Sequence, residues 1–358
     1  MLRPITTIRY MHLTTYIKQT ANQINHTLDE FAITLEQEVS LVSPYLSPLI
    51  TVLNQASEGG KRIRAILVVL GYELYTNSFT TAILKPAIAF EIFQTAILVH
   101  DDIIDCSPLR RGKPTVYKQL EASKNHAHYG VSQSICLGDI GMILAVRLVS
   151  TSNFETEKRL KAVNSFVTTI LYTGIGEMLD VELPYLPTTK EEADVLAIYL
   201  HKTAHYTITG ALQLGAILGG ASDDYLAQLA VYGNNLGIAF QIQDDILGMF
   251  GDEHQLGKSV VSDIEEGKIT LLYLYALKKA TVAQKDLLAT LYGKGHLTLE
   301  QVQQVRAVFI STGALAYCEM QKEKYVQQAL VSLDTITQHN GHQQLLRELA
   351  FLMIQRKQ

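Results

Sequence analysis

The stretch that decides the fold runs Phe90-Glu-Ile-Phe-Gln-Thr-Ala-Ile-Leu-Val-His-Asp-Asp-Ile-Ile-Asp-Cys-Ser-Pro-Leu-Arg-Arg-Gly-Lys-Pro-Thr115. An apolar run ends in three acids, Asp101, Asp102 and Asp105, and a short way beyond them stand Arg110 and Arg111. No glycine or proline interrupts the chain between Ala87 and Cys106, so the pattern predicts one helix carrying the whole acidic run. Residues three and four apart share a helix face, which puts Phe90, Gln94, Ile97, Asp101 and Asp105 on one side. That side is apolar at one end and doubly anionic at the other. Two carboxylates one turn apart beside an apolar wall are costly unless a cation lies between them. Hard oxygen donors suit Mg²⁺, which keeps several waters and also takes substrate phosphates. The two guanidiniums complement phosphates with forked donors. The stretch therefore predicts a metal–diphosphate site at the mouth of an apolar pocket. A solvated acidic helix end is the plain alternative, but such an end has no need of the apolar run before it.

Asp-Asp-Ile-Ile-Asp followed by Arg-Arg-Gly, with Gln94 upstream, resembles the first aspartate-rich motif of the trans-isoprenyl diphosphate synthases, the farnesyl, geranylgeranyl and longer polyprenyl synthases. The aspartates alone are a weak signal; Gln94, Arg110 and Arg111 around them make it a strong one. A second stretch, Glu58-Gly-Gly-Lys-Arg-Ile-Arg64, opens an apolar helix through Tyr75. Gly59 and Gly60 let the backbone approach a ligand closely. Lys61 and Arg64 share a face of a first turn, next to a helix N-terminus that favours anions. Standing alone it reads as a solvated basic turn. It also resembles the family's isopentenyl diphosphate site, and the resemblance implies that Lys61, Arg64, Gln94 and Arg111 bind that substrate.

Composition narrows the classes. Of 358 residues, 47% are hydrophobic, ample for a large core, and the net charge of −5 argues against nucleic acid as a partner. Cys106, Cys136 and Cys318 form neither a disulfide framework nor a zinc spacing, so a reducing cytoplasm is expected. No uninterrupted apolar stretch reaches the length of a transmembrane span. The first acid is Asp29, and Arg3, Arg9 and Lys18 precede it, which gives the start a transit-peptide flavour. The preferred reading is a flexible tail over residues 1–15, with 16–358 as the helical domain.

Helical spacing then runs from about Tyr16 to Val42, broken by Ser43-Pro44. After the aspartates Gly112-Lys-Pro114 makes a loop, and helices are expected over Ser134 to Leu148 and Glu155 to Glu182. Asp139 is read as structural, and Glu177 and Asp180 as helix surface. Thr189-Lys-Glu-Glu192 and Thr298-Leu-Glu-Gln301 read as capping boxes, and Ser222 as the cap of a helix reaching Gly248. Lys202-Thr203 matches the family's Lys-Thr pair, which implies Lys202 on the leaving diphosphate and Thr203 towards the developing allylic cation. Phe240-Gln-Ile-Gln-Asp-Asp-Ile-Leu-Gly248 ends in a second acidic pair, with Gln241 and Asp244 on one face. The family carries Asp where Gly248 stands; aligned so, Asp244 keeps the main metal position. Lys258 and Lys268 match the family's diphosphate-binding lysines. No series of alternating strand patterns appears, so the fold class is all-α.

The resemblance implies a single-domain helical bundle around a central cavity, with the two aspartate helices facing across it, usually as a homodimer. It implies head-to-tail condensation of isopentenyl diphosphate with an allylic diphosphate. About three Mg²⁺ ions would bridge the allylic phosphates to Asp101, Asp105 and Asp244, stabilising the departing charge. The rivals are a farnesyl synthase, a terpene cyclase and a non-catalytic subunit of a heteromeric synthase. A cyclase has no need of a second diphosphate site, and a lost subunit usually lacks more of the site than one acid. Product length turns on the helix before Asp101. The family often has an aromatic floor five residues before that Asp; here Ala96 and its neighbour Ile97 are not aromatic, and Phe93 is the next ring. At ~1.5 Å rise per residue Phe93 lies ~12 Å back against ~7.5 Å for Ala96, room for roughly one more isoprene unit. Geranylgeranyl or longer is the expected product.

Overall fold

The computed structural model describes residues 12–187, 189–251, 262–337 and 340–354, and these are almost entirely helical. The elements are α1 (Leu13–Val42), α2 (Ser47–Ala56), α3 (Ile63–Thr76), α4 (Leu84–Ile104), α5 (Val116–Lys124), α6 (Ala127–Ser150), α7 (Thr156–Glu182) and α8 (Glu192–Ile198). A π-helical segment, Tyr199–Thr209, continues α8 into α9 (Gly210–Gly219), followed by α10 (Asp223–Phe250) and α11 (Ser262–Glu266). The chain closes with α12 (Leu271–Lys279), α13 (Val282–Leu291), α14 (Leu299–Ser311), α15 (Ala314–Val331), α16 (Leu333–Ile336) and α17 (Asn340–Ile354). The only strands among the described residues are the two-residue arms of a hairpin, Leu109–Arg110 against Lys113–Pro114. The expected all-α class is what the chain adopts.

Several boundaries follow the sequence signals. Ser43 ends α1 and Pro44 starts the next turn. Thr298 and Gln301 cap α14 reciprocally, with the Thr298 amide donating to the Gln301 side-chain Oε1 at 2.8 Å. Ser222 accepts from the Tyr225 amide at the start of α10. Three expectations shift. The first helix begins at Leu13, because Leu13 and Tyr16 are both buried and anchor its first turn; residues 1–11 of the expected tail lie outside the described residues. The cap of α8 is Glu191, whose amide donates to Asp194 at 2.8 Å, two residues beyond the expected Thr189. The expected loop at Gly112 is a tight hairpin whose central residues, Arg111 and Gly112, both have positive φ (54° and 73°). That is the geometry that matches the twist of paired strands.

The described residues pack as two compact units, one of 12–168, 210–226 and 340–345, the other of 169–209, 227–337 and 346–354. In the first unit α4 packs chiefly on α6 and α3 on α9. Glycines on α6 set how close α4 comes. A Cβ at Gly138 would fall 2.2 Å from the His100 ring, and one at Gly141 2.9 Å from the Ala96 methyl. His100 sits in that gap with its Nε2 3.2 Å from the Ile135 carbonyl. By length and composition alone, Thr81–Ile104 and Ala127–Ser150 are long and apolar enough to cross a membrane. Here the first of them is a core helix, buried along most of its length, and the second is its main packing partner. The second unit has its own apolar core, in which Val195, Leu288, Val305, Phe309 and Ala314 are fully buried.

Candidate active site

In the first unit α4 delivers the predicted face. Phe90 is fully buried, and Gln94, Ile97, Asp101 and Asp105, the last of which caps the helix, are partly exposed. Asp102 points the other way and is 3% exposed. Arg110, on the first hairpin arm, forks across the pair: Nε donates to Asp102 at 2.6 Å and Nη2 to Asp101 at 2.7 Å. Burial pushes the Asp102 carboxyl up to about 6, partly offset by Arg110. For Arg110 burial works against the charge, but Asp101 and Asp102 outweigh it and hold its pKa above the usual value.

Next to this acidic end lies the basic turn. Gly59, Gly60 and Arg62 all have positive φ (73°, 81° and 55°), so the turn needs its glycines. A Cβ at Gly60 would lie 3.4 Å from the Arg111 guanidinium, so the hairpin brings Arg111 over the Gly-Gly turn. Burial and the neighbouring Arg110 lower the Arg111 pKa, with Glu91 acting in the opposite sense. Lys61 is exposed and Arg64 half-buried. At the N-terminus of α3 one amide is already engaged: Glu91 of α4 accepts from the Ala65 amide at 3.1 Å. The expected chain-length residues separate. Ala96 is fully buried against Gly141, and Phe93 is fully buried with its ring 5.8 Å from that of Phe166; Ile97 alone stays on the open face with Gln94 and Asp101.

The second unit repeats the sorting of acids. On α10 Asp244 is exposed and Asp245 is 9% exposed. Asp245 accepts from Gln241 at 2.8 Å and from the Tyr199 hydroxyl. Gln241 accepts in turn from Thr203 at 2.6 Å, and Tyr199 receives the Leu271 amide at 3.2 Å. This chain ties the π-helical segment to α10 and to the start of α12. Burial, with the Asp245 charge, raises the Tyr199 pKa far above the phenolic value, so it stays a donor. Lys202 lies between Asp180 at 2.6 Å and Glu177 at 2.9 Å on α7. A Cβ at Gly176 would fall 2.3 Å from the Lys202 amide nitrogen, so close approach of the two segments builds this cluster. Lys268 pairs with Glu266 at 2.9 Å, and Gly248 is half-buried. Lys258 lies outside the described residues.

Five features escaped the sequence. Glu91 and Arg62 work inside the basic turn, Asp102 and Asp245 are inward acids, and Tyr199 is their buried donor. Glu177 and Asp180, expected on the helix surface, are engaged with Lys202. A lone Glu91 inside the apolar run Ala87-Ile-Ala-Phe-Glu-Ile-Phe93, one turn before Gln94, is the signal that was there to be used. The donor set suits Mg²⁺. Asp101 and Asp105, partly exposed at the end of α4, and Asp244, exposed within α10, are hard oxygen donors. No group of three or more His, Cys, Asp or Glu among the described residues forms an all-protein cage. An ion held by one or two carboxylates plus substrate phosphates needs none.

A helical fold with an acidic end on α4, an exposed acid on α10 and a separate basic turn defines a class of diphosphate-handling enzymes, and comparison with known proteins agrees. Residues 47–309 match the family model of polyprenyl synthetase. A geranylgeranyl diphosphate synthase from Saccharolobus solfataricus is 32% identical over 96% of this chain and 98% of its own. Another, from Sulfolobus acidocaldarius, is 32% identical over 83% of this chain and 88% of its own. A geranylgeranyl pyrophosphate synthase from Corynebacterium glutamicum, solved with isoprenyl diphosphate and magnesium, superposes with a TM-score of 0.88 at 28% identity. That match covers 97% of this chain and all of the other. The chain belongs to the polyprenyl synthetase family, the trans-isoprenyl diphosphate synthases, and is a prenyltransferase of that family.

Proposed function

We propose that this chain condenses isopentenyl diphosphate with an allylic diphosphate, head to tail and trans, to give geranylgeranyl diphosphate or a longer homologue. The observation that carries the reading is the pairing, in one unit, of an acidic helix end at Asp101 and Asp105 with a separate guanidinium–glycine turn at Gly60 and Arg111. One suits a metal-bound diphosphate and the other a diphosphate held by cations alone. A two-substrate transferase needs both and a terpene cyclase only the first.

In this reading Lys61, Arg64, Arg111 and Gln94 bind isopentenyl diphosphate. Asp101, Asp105 and Asp244 hold the metal. Bound there, about three Mg²⁺ ions would supply positive charge to the departing diphosphate, where electrostatic catalysis acts most strongly. Arg110, Lys202, Lys258 and Lys268 add donors to the same group. Lys202 has to exchange Glu177 and Asp180 for phosphate oxygens as the substrate enters. Thr203 and Gln241, oriented by Asp245, face the allylic carbon as its bond to oxygen breaks. The isopentenyl double bond forms the new carbon–carbon bond, and the proton it then loses passes to the departing diphosphate. Water must be excluded meanwhile, since hydrolysis competes.

The length assignment rests on the absence of an aromatic side chain at Ala96 and Ile97, and the names of the two archaeal relatives agree with it. A homodimer in the cytoplasm completes the proposal, supported by an exposed apolar stripe on α7 and by three free cysteines. The test is one incubation of the purified chain with Mg²⁺, isopentenyl diphosphate and dimethylallyl, geranyl or farnesyl diphosphate, followed by chromatography. A linear twenty-carbon or longer diphosphate is expected. Product stopping at fifteen carbons makes the chain a farnesyl synthase, a cyclic hydrocarbon makes it a cyclase, and no product from the chain alone makes it a partner subunit.

A further inference from the structure

Three cations, Lys61, Arg62 and Arg64, crowd one turn, and Arg111 reaches the same turn from the hairpin. Left uncompensated they repel one another, and the turn has little reason to hold one shape. Its backbone is demanding as well, since Arg62 is a non-glycine residue in the left-handed region at φ 55°. Contacts of Arg62 hold it. Arg62 turns inward: Nε donates to Asn25 of α1 at 2.8 Å, and Nη1 to the Ser57 carbonyl at 2.6 Å. The same Nη1 lies 3.4 Å from Glu91, and the two side chains are 10% and 6% exposed. The second oxygen of Glu91 caps the first turn of α3 through the Ala65 amide. One buried carboxylate thus takes the inward cation out of competition and fixes both the turn and the helix it opens. Glu91 also stands one helical turn before Gln94 on α4, so the same contact sets Gln94 in register with the turn.

We infer that Glu91 is a positioning residue for the isopentenyl diphosphate site: through Arg62 and the α3 amide it holds the Gly59–Arg64 turn so that Lys61, Arg64, Arg111 and Gln94 meet one diphosphate. The inference rests on the proposed function and adds two residues, Glu91 and Arg62, that touch no substrate themselves. A buried ion pair serving only stability would leave the Michaelis constants alone. A positioning pair moves one of them and not the other.

The test uses the full chain with Mg²⁺ and both diphosphates. Glu91→Gln keeps the size of the side chain and its acceptor for the Ala65 amide but removes the charge that orients Arg62. Its KM for isopentenyl diphosphate is expected to rise about tenfold or more, the size of one lost charge-assisted hydrogen bond. Its KM for the allylic diphosphate, and its kcat at saturation, stay within about twofold of wild type. Asn25→Ala, an exposed change on α1 that the fold tolerates, loosens Arg62 from its other end. It is expected to shift the same KM in the same direction by a smaller factor. If both KM values rise together, or if Glu91→Gln only lowers the unfolding temperature with both KM values unchanged, the pair is structural and the inference fails. If Glu91→Gln does not fold, Asn25→Ala decides alone: an unchanged KM for isopentenyl diphosphate overturns the inference. A wild-type chain that does not consume isopentenyl diphosphate sinks the proposed function instead, and the two failures are told apart by that control.

Discussion

Ala96 and Ile97 are neighbours on α4 with different surroundings, and the difference decides which of them can set product length. A ring at position 96 would be driven into α6, where even a methyl on Gly141 has no room. Ala96→Phe is therefore expected to cost about 1–3 kcal/mol of stability, as overpacked cores do. Phe93→Ala empties a site packed on Phe166 and costs about 3–5 kcal/mol. Neither variant reads the pocket cleanly. Ile97 lies on the partly open face between Gln94 and Asp101, so Ile97→Phe is expected to fold normally and shorten the main product by about one isoprene unit, taking one unit as about one helical turn, ~5.4 Å. Chromatography of its products against wild type checks this; an unchanged chain length sends the tail along another route. The acids invite a matching comparison. Asp244 faces outward and Asp245 inward, so Asp244→Ala is expected to lower kcat by about 10²–10³ at saturating Mg²⁺, the range for one lost contact to developing charge. Asp101→Ala should do the same. Turnover near wild type in either variant removes that residue from the metal set.

At the scale of elements, the π-helical segment Tyr199–Thr209 concentrates Lys202, Thr203 and the Asp245 donor Tyr199, and it also carries a histidine pair. His201 and His205 lie 5.3 Å apart, ring to ring, and Tyr172 of α7 stacks on His201. Burial, then the neighbouring His201, lowers the His205 pKa below its usual 6.5. In the unfolded chain the same imidazole takes up its proton at about 6.5. As pH falls below that value the unfolded state binds the proton first, so stability is full above about 6.5 and is lost below it. Thermal melts from pH 7.5 to 5.5 should show a smaller acid-side drop in His205→Gln than in wild type; equal drops mean other groups set the slope. Much of this level was legible. The helical period marked α1, α4 and α10, and Ser43-Pro44, Ser222 and Thr298 marked ends through their own chemistry. The π-helical segment was not, because its hydrogen-bond shift leaves no mark that α-helical periodicity would not also leave. Nor could adjacent aspartates announce which one turns inward; helical phase links Asp101 to Gln94 and Ile97, but the donors to the inward acids, half-buried Arg110 on the hairpin and buried Tyr199, stand on other elements. Glu91 was missed for a related reason, since its partners, Arg62 and the Ala65 amide of α3, are distant in sequence.

For the whole molecule the decisive surface is on α7. Leu160, Val167, Leu171, Ile175 and Met178 recur at helical spacing along it, and all are exposed, Met178 to 73%. A stripe of five large apolar side chains on one helix is more than scattered surface hydrophobicity, and such patches mark association sites. A second copy of the chain is the simplest cover, because a two-fold axis pairs the same stripe with itself. The stripe also bears on the chemistry: Met178 stands on α7 between Glu177 and Asp180, the two acids that hold Lys202. Leu171→Glu combined with Met178→Glu places like charges opposite one another across such an axis. The double variant is expected to sediment as a monomer where wild type sediments as a dimer, and to lose turnover with it as α7 loosens around Lys202. Val282→Glu, an equally exposed apolar position on α13, should leave both properties unchanged. Sedimentation velocity with parallel assays reads all three proteins. A wild-type monomer, or a double variant that stays dimeric, assigns the stripe to some other contact.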